Sequence, residues 1–176
     1  VAGIDIEPNA PTLGDQKKLT DLYLINPITR SNFWTGIQIS VHHRYDAGGD
    51  AIQPMNITVR NHYSNNECFA MWLSWSRNTG AGDTNHVTGL VDIINPSWNN
   101  ARSYSAPPGG GSATLSQPTQ DGDKLIVRHT INDSGMTVRF FKPRINVNGV
   151  QYSNAQLQDW FDTDINNLAT IKQLVL

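Results

Sequence analysis

Cys68-Phe69-Ala70-Met71-Trp72-Leu73-Ser74-Trp75 is the densest apolar stretch of the chain, and its alternation decides the fold class. In an extended strand Phe69, Met71, Leu73 and Trp75 share one face, while Cys68, Ala70, Trp72 and Ser74 share the other. Apolar residues on both faces predict a central strand that is covered on both sides.

Upstream, Phe33, Thr35, Ile37, Ile39 and Val41 alternate with Trp34, Gln38, Ser40 and His42, which predicts a second strand. It ends at the turn cluster Asp46-Ala47-Gly48-Gly49-Asp50, and Met55 to Val59 forms the next strand before Asn61 to Asn66. Leu22 to Ile25 reads as a short strand closed by Asn26-Pro27, after an extended lead-in over residues 1–20. Downstream, His86 to Ile94 is a strand that stops at Asn95-Pro96. Residues 102–123, centred on Pro107-Pro108-Gly109-Gly110-Gly111-Ser112, read as a long surface loop.

Lys124 to Ile131 and Met136 to Phe141 alternate on either side of Asn132-Asp133-Ser134-Gly135, the residues of a hairpin turn. Pro143 stops the last strand, and Asn148-Gly149 offers a tight turn. Ser153-Asn154-Ala155-Gln156 has the spacing of a capping box, so a helix should start near Asn154 and bury Leu157, Trp160 and Phe161. A second helical stretch over Ile165 to Leu174 completes a C-terminal helical segment at about 154–174. No internal repeat is read.

Composition agrees with this pattern. Glu7 and Glu67 are the only glutamates, against eighteen asparagines, fourteen glycines and nine prolines. Such residues supply turns and not helix surfaces. The chain has 176 residues, suited to one domain over 1–176, and a net charge of −2. That balance lacks the basic field of a nucleic-acid binder, and no apolar run is long enough to insert in a membrane. Cys68 is the only cysteine, which excludes an intrachain disulfide and a cysteine-built zinc site. A reducing compartment fits, and no signal peptide is expected after Val1.

Motifs for catalysis are missing. His42 and His43 are adjacent and point to opposite faces of a strand, and His62, His86 and His129 lie in separate elements, so neither a metal nor another cofactor is expected. No nucleophile elbow, phosphate loop or dinucleotide fingerprint occurs. Asp92 is the one acid inside an apolar strand, where the solvent face of an edge strand accounts for it better than catalysis. The aromatics are more suggestive, because rings stack on the CH faces of sugars. Trp98, after the Asn95-Pro96 turn and before Asn99-Asn100-Ala101-Arg102, is either such a platform or a cap on one end of the core.

Several short words occur in an order that carries a resemblance. They are Asp21-Leu22-Tyr23-Leu24, then Asn32-Phe33-Trp34-Thr35, then Val59-Arg60-Asn61 with Ser64-Asn65, Phe69 and Met71, then Gly89-Leu90 followed by Trp98, and finally Phe140-Phe141-Lys142-Pro143-Arg144. Over roughly Pro8 to Leu168 the chain resembles the glycan-binding head of the rotavirus spike protein. The resemblance implies a galectin-like sandwich of two twisted antiparallel sheets with a short C-terminal helix. It also implies a non-catalytic head that attaches to host cell-surface glycans. The head would be joined to the rest of a parent spike, made in the host cytoplasm and carried on the outer capsid surface of the virion.

Phe33 stands where sialic-acid-binding members have an arginine, so the implied ligand is a blood-group-type or galactose-terminated glycan. By motif position its site residues resemble Tyr23, Trp98 and Arg144, with Thr114 in the place of a threonine pair and Arg102 near Trp98. The competing expectation is a structural jelly-roll capsid or fibre domain whose aromatics are core. A small β-sandwich hydrolase is a third reading and lacks a placed acid pair.

Overall fold

The computed structural model describes residues 2–6, 21–32, 35–41, 55–65, 69–75, 88–99, 104–105, 114–115, 127–131, 135–147, 149–165 and 171–176. Among these residues the chain is mostly β with one short helix. It begins with β1 (Ala2–Ile6), β2 (Asp21–Ile25) and β3 (Ile28–Arg30), and the same three-strand course recurs as β4 (Thr35–Val41), β5 (Met55–Arg60) and β6 (Tyr63–Asn65). It recurs again as β7 (Phe69–Trp75), β8 (Gly89–Ile94) and β9 (Ser97–Asn99). After the small pair β10 (Tyr104–Ser105) and β11 (Thr114–Leu115), a fourth course runs through β12 (Val127–Ile131), β13 (Met136–Phe141) and β14 (Arg144–Val147). The chain ends with β15 (Val150–Gln151), helix α1 (Asn154–Trp160), a π-helical turn over Phe161–Ile165, and β16 (Ile171–Val175).

Each course lies on the one before it. The first sheet has the order β1-β4-β7-β12, the second β2-β5-β8-β13-β16 and the third β3-β6-β9-β14-β15. Within these sheets every pairing is parallel except β14 with β15. This is a coiled path of stacked parallel strands, with neighbours about 4.8 Å apart along the coil axis.

The corner between the second and third sheets shows why the sequence takes this path. Asn26, Asn61 and Asn95 hold φ values of 55°, 56° and 49°, and Lys142 holds 47° at the equivalent place. Asparagine tolerates this left-handed conformation better than other non-glycine residues. Pro27, Pro96 and Pro143 follow directly and fix the next φ. The chain therefore bends and continues instead of reversing. Backbone bonds then stack the corners: Asn26 N–H donates to Arg60 O at 2.9 Å, Asn61 N–H to Ile94 O at 2.8 Å and Asn95 N–H to Phe141 O at 2.8 Å. The Asn61 amide also donates to Asn26 Oδ1 at 2.8 Å.

Inward residues form columns one coil apart. Ile37, Met71 and Val127 are in register in the first sheet, and Ile57, Val91 and Val138 in the second. All six are buried in one continuous core. Gly89 sits between Met55 and Met136 at φ 131°, where an added Cβ would collide with the Met55 backbone. At the C-terminal end, Leu157, Trp160, Phe161 and Ile165 are buried. Trp160 meets Trp98 and Phe140 edge-to-face at 6.0 and 5.5 Å, so the helical segment closes that part of the interior.

The mostly-β class and the short helix are as the sequence predicts. The Ser153 capping box is present, with Ser153 N–H donating to Gln156 Oε1 and Gln156 N–H to Ser153 Oγ. Other expectations are corrected. Among the described strands only β10–β11 and β14–β15 pair antiparallel, and three large sheets replace the two antiparallel sheets of a galectin-like sandwich. Residues 127–131 and 136–141 are not a hairpin, because β12 pairs with β7 in the first sheet and β13 with β8 and β16 in the second. Ile171–Val175 is a strand and not helix, since it adds to the parallel edge of β13. An internal repeat does exist, with Asn61 following Asn26 by 35 positions.

Candidate functional site

The outward face of the second sheet collects side chains that alternation pushes away from the core. Its middle row is Tyr23, Thr58, Asp92, Arg139 and Gln173, one from each of β2, β5, β8, β13 and β16, in direct register. Tyr23 is 67% exposed. The neighbouring row runs Ile25, Arg60, Ile94, Phe141 and Val175.

Asp92 and Arg139 organise the centre of this face. Arg139 Nε donates to Asp92 Oδ1 and Nη2 to Oδ2, both at 2.7 Å, in a two-pronged pair between adjacent coils. The bonds to Asp92 raise the pKa of an already permanent guanidinium cation. The guanidinium also lies 5.4 Å from the centre of the Phe141 ring. Asp92 is thus on a central strand, flanked by β5 and β13, and not on an edge strand as expected.

A groove of about 500 Å³ lies along the corner between the second and third sheets, near helix α1. Asn61, Asn95, Lys142, Arg144, Gln151 and Tyr152 are among its lining residues, and no acidic side chain lines it among the described residues.

The sequence-predicted site residues do not converge. Trp98 is 2% exposed and belongs to the core, because it points inward from β9 in the column of Thr29, Ser64 and Ile145. It cannot present a face to sugar, and the core reading of Trp98 is the correct one. Tyr23 and Arg144 are both exposed, but they occupy the first and fourth coils and different sheets. Three coil spacings alone separate them by about 14 Å. Thr114 lies in the β10–β11 pair, its side chain outside the described atoms, and Arg102, Phe33, Cys68 and Gly109 to Gly111 lie outside the described residues.

Sequence reasoning missed the Asp92–Arg139 pair and Lys142. Aligning Val91-Asp92-Ile93-Ile94-Asn95-Pro96 with Val138-Arg139-Phe140-Phe141-Lys142-Pro143 would have found both, since that alignment is the structural register. It also missed His62, which is fully buried and links three coils. His62 Nε2 and Thr29 Oγ1 are 2.8 Å apart, and Trp98 Nε1–H donates to His62 Nδ1 at 3.2 Å. Burial pushes the imidazole down to about 4. Among the described residues no cluster of His, Cys, Asp or Glu is arranged to hold a metal ion.

Compared with known proteins, the chain matches no family model, no curated protein and no solved structure.

Proposed function

We propose that the chain is a non-catalytic carbohydrate-binding domain that engages an extended saccharide along the outward face of the second sheet. The carrying observation is the in-register row Tyr23, Thr58, Asp92, Arg139 and Gln173. Parallel stacking repeats this row about every 4.8 Å, which gives a flat ledge of aromatic, hydroxyl, ionic and amide groups. Tyr23 supplies a ring for a sugar CH face, and the fixed Asp92–Arg139 pair supplies acceptors and donors for hydroxyls.

Hydrolysis fits this face poorly. Its two described acids are Asp21 and Asp92, which register places about 12 Å apart at the backbone. Paired catalytic carboxyl groups lie about 5 to 9.5 Å apart. Both oxygens of Asp92 are also held by Arg139, and Asp21 Oδ1 accepts from the Asn56 amide at 3.0 Å.

The rotavirus spike-head resemblance, with its host-cell attachment and outer-capsid location, rests on the short sequence words alone. Parallel coils are a different chain path from the antiparallel sandwich it implies. The structural fibre reading draws on a separate observation: Tyr23, Ile25 and Ile28 are 67%, 56% and 64% exposed on one coil. Such a patch suits contact with another protein surface.

A glycan array with the domain presented multivalently tests the carbohydrate reading, because shallow single sites bind weakly. Signal on extended glycans that is lost in Tyr23→Ala and in Arg139→Gln supports it. A blank array with concentration-dependent assembly, abolished by Ile28→Ser, supports the fibre reading instead.

A further inference from the structure

The corner that turns each coil from the second sheet into the third is left-handed on all four coils, and three of them place asparagine there. Asn26, Asn61 and Asn95 occupy the left-handed corner, but the fourth coil places Lys142 there at φ 47°. Lysine has none of the local side-chain bonding that makes asparagine tolerable at such φ values, so the exchange works against the fold. A strained residue of this kind is a pointer to function.

The surroundings say what that function is. Lys142 and Arg144 are exposed residues of one short segment, Lys142-Pro143-Arg144, with the buried Pro143 fixing the backbone between them. Arg144 N–H donates to Pro96 O at 2.9 Å, which ties the segment to the coil below. Both cations line the groove of about 500 Å³, together with Asn61, Asn95, Gln151 and Tyr152. Among the described residues that line the groove, the charged side chains are Lys142 and Arg144, both positive. Two like charges in a concave surface raise the local potential and recruit an anion. The guanidinium fork and the amide groups offer directional donors to its oxygens.

We infer that this groove is an anion subsite for an acidic saccharide, with Lys142 and Arg144 on its carboxylate and Tyr152 against the sugar ring. The volume suits one or two sugar residues. The subsite is separate from the ledge around Tyr23 and Arg139, and it stands or falls independently of binding there.

The discriminating variant is Lys142→Asn, which restores the residue used by the other three corners and so leaves the fold as stable or more so. Titration calorimetry compares three probes at low salt: a uronic-acid disaccharide, its methyl ester, and inorganic phosphate. The 176-residue chain is used with and without a Gly-Ser extension after Leu176, a residue that also lines the groove.

The acid should bind at least tenfold more tightly than its ester and weaken as salt rises. Lys142→Asn and Arg144→Gln should each cut acid binding tenfold or more without lowering Tm, and Tyr23→Ala should leave it unchanged. Equal binding of acid and ester, or undiminished acid binding in Lys142→Asn, overturns the subsite. Phosphate binding as tight as the disaccharide, with the same variant losses, overturns its assignment to a saccharide. Loss of neutral-glycan signal in Tyr23→Ala alone bears only on the ledge.

Discussion

The indole Nε1–H of Trp98 donates to Nδ1 of His62 at 3.2 Å, and the bond is buried between two coils. Indole can only donate, so Nδ1 accepts and the imidazole proton resides on Nε2, facing Thr29 Oγ1 at 2.8 Å. The third, second and first coils are thereby joined by one buried polar line in a mainly apolar interior.

Trp98 therefore acts as a structural residue. Trp98→Ala removes a buried ring that also meets Phe140 and Trp160 at 6.3 and 6.0 Å, and should cost about 3–5 kcal/mol. Trp98→Phe keeps much of the packing but leaves His62 Nδ1 without its donor, for a loss of about 1–3 kcal/mol. Urea denaturation distinguishes the two, and a change below 1 kcal/mol in Trp98→Ala would contradict the buried placement.

The same line makes stability depend on pH. His62 is held neutral because burial pushes it from 6.5 to about 4. Above pH 6.5 it is neutral in folded and unfolded chains alike and adds no slope. As pH falls from 6.5 towards 4 the unfolded chain takes up a proton that the folded chain refuses, so stability declines by up to about 3 kcal/mol. Below 4 this contribution levels off. In His62→Gln the decline over that window should be shallower by about this amount, and an unchanged slope would rule out His62 as its source.

Asp92 and Arg139 should behave in the opposite way, with little effect on stability. Their side chains are 15% and 33% exposed, and a pair open to solvent contributes about 1 kcal/mol or less. Asp92→Asn should leave the urea midpoint nearly unchanged while reducing glycan-array signal. A large stability loss with binding retained would make the pair a brace between β8 and β13 and not part of a ledge.

Much of the fold was legible strand by strand. The alternation in Ile37 to Val41, Met55 to Val59 and Phe69 to Trp75 marks strands, and Ser153 to Gln156 marks the helix start. Pairing direction was not legible, because a period of two is the same in parallel and antiparallel sheets. The clue lay in Asn26-Pro27, Asn61-His62, Asn95-Pro96 and Lys142-Pro143, which read singly as strand ends. As a recurring left-handed corner they require a coil. The site was less legible, since Asp92 and Arg139 are 47 positions apart and meet only through that register.

Asn61 offers the most direct test of the corner itself. Its φ of 56° disfavours any residue with a Cβ, and its amide reaches Asn26 Oδ1 at 2.8 Å. Asn61→Ala loses both the conformational tolerance and the bond, and should cost about 2 kcal/mol. Asn61→Gly loses the bond but adopts the corner freely, so its cost should stay below about 1 kcal/mol. Unfolded glycine is also more flexible, which keeps that variant below the wild type. The expected order of urea midpoints is wild type, then Asn61→Gly, then Asn61→Ala. Equal midpoints for the two variants would mean that left-handed geometry is not what positions the corner, and the stacking of coils would need another cause.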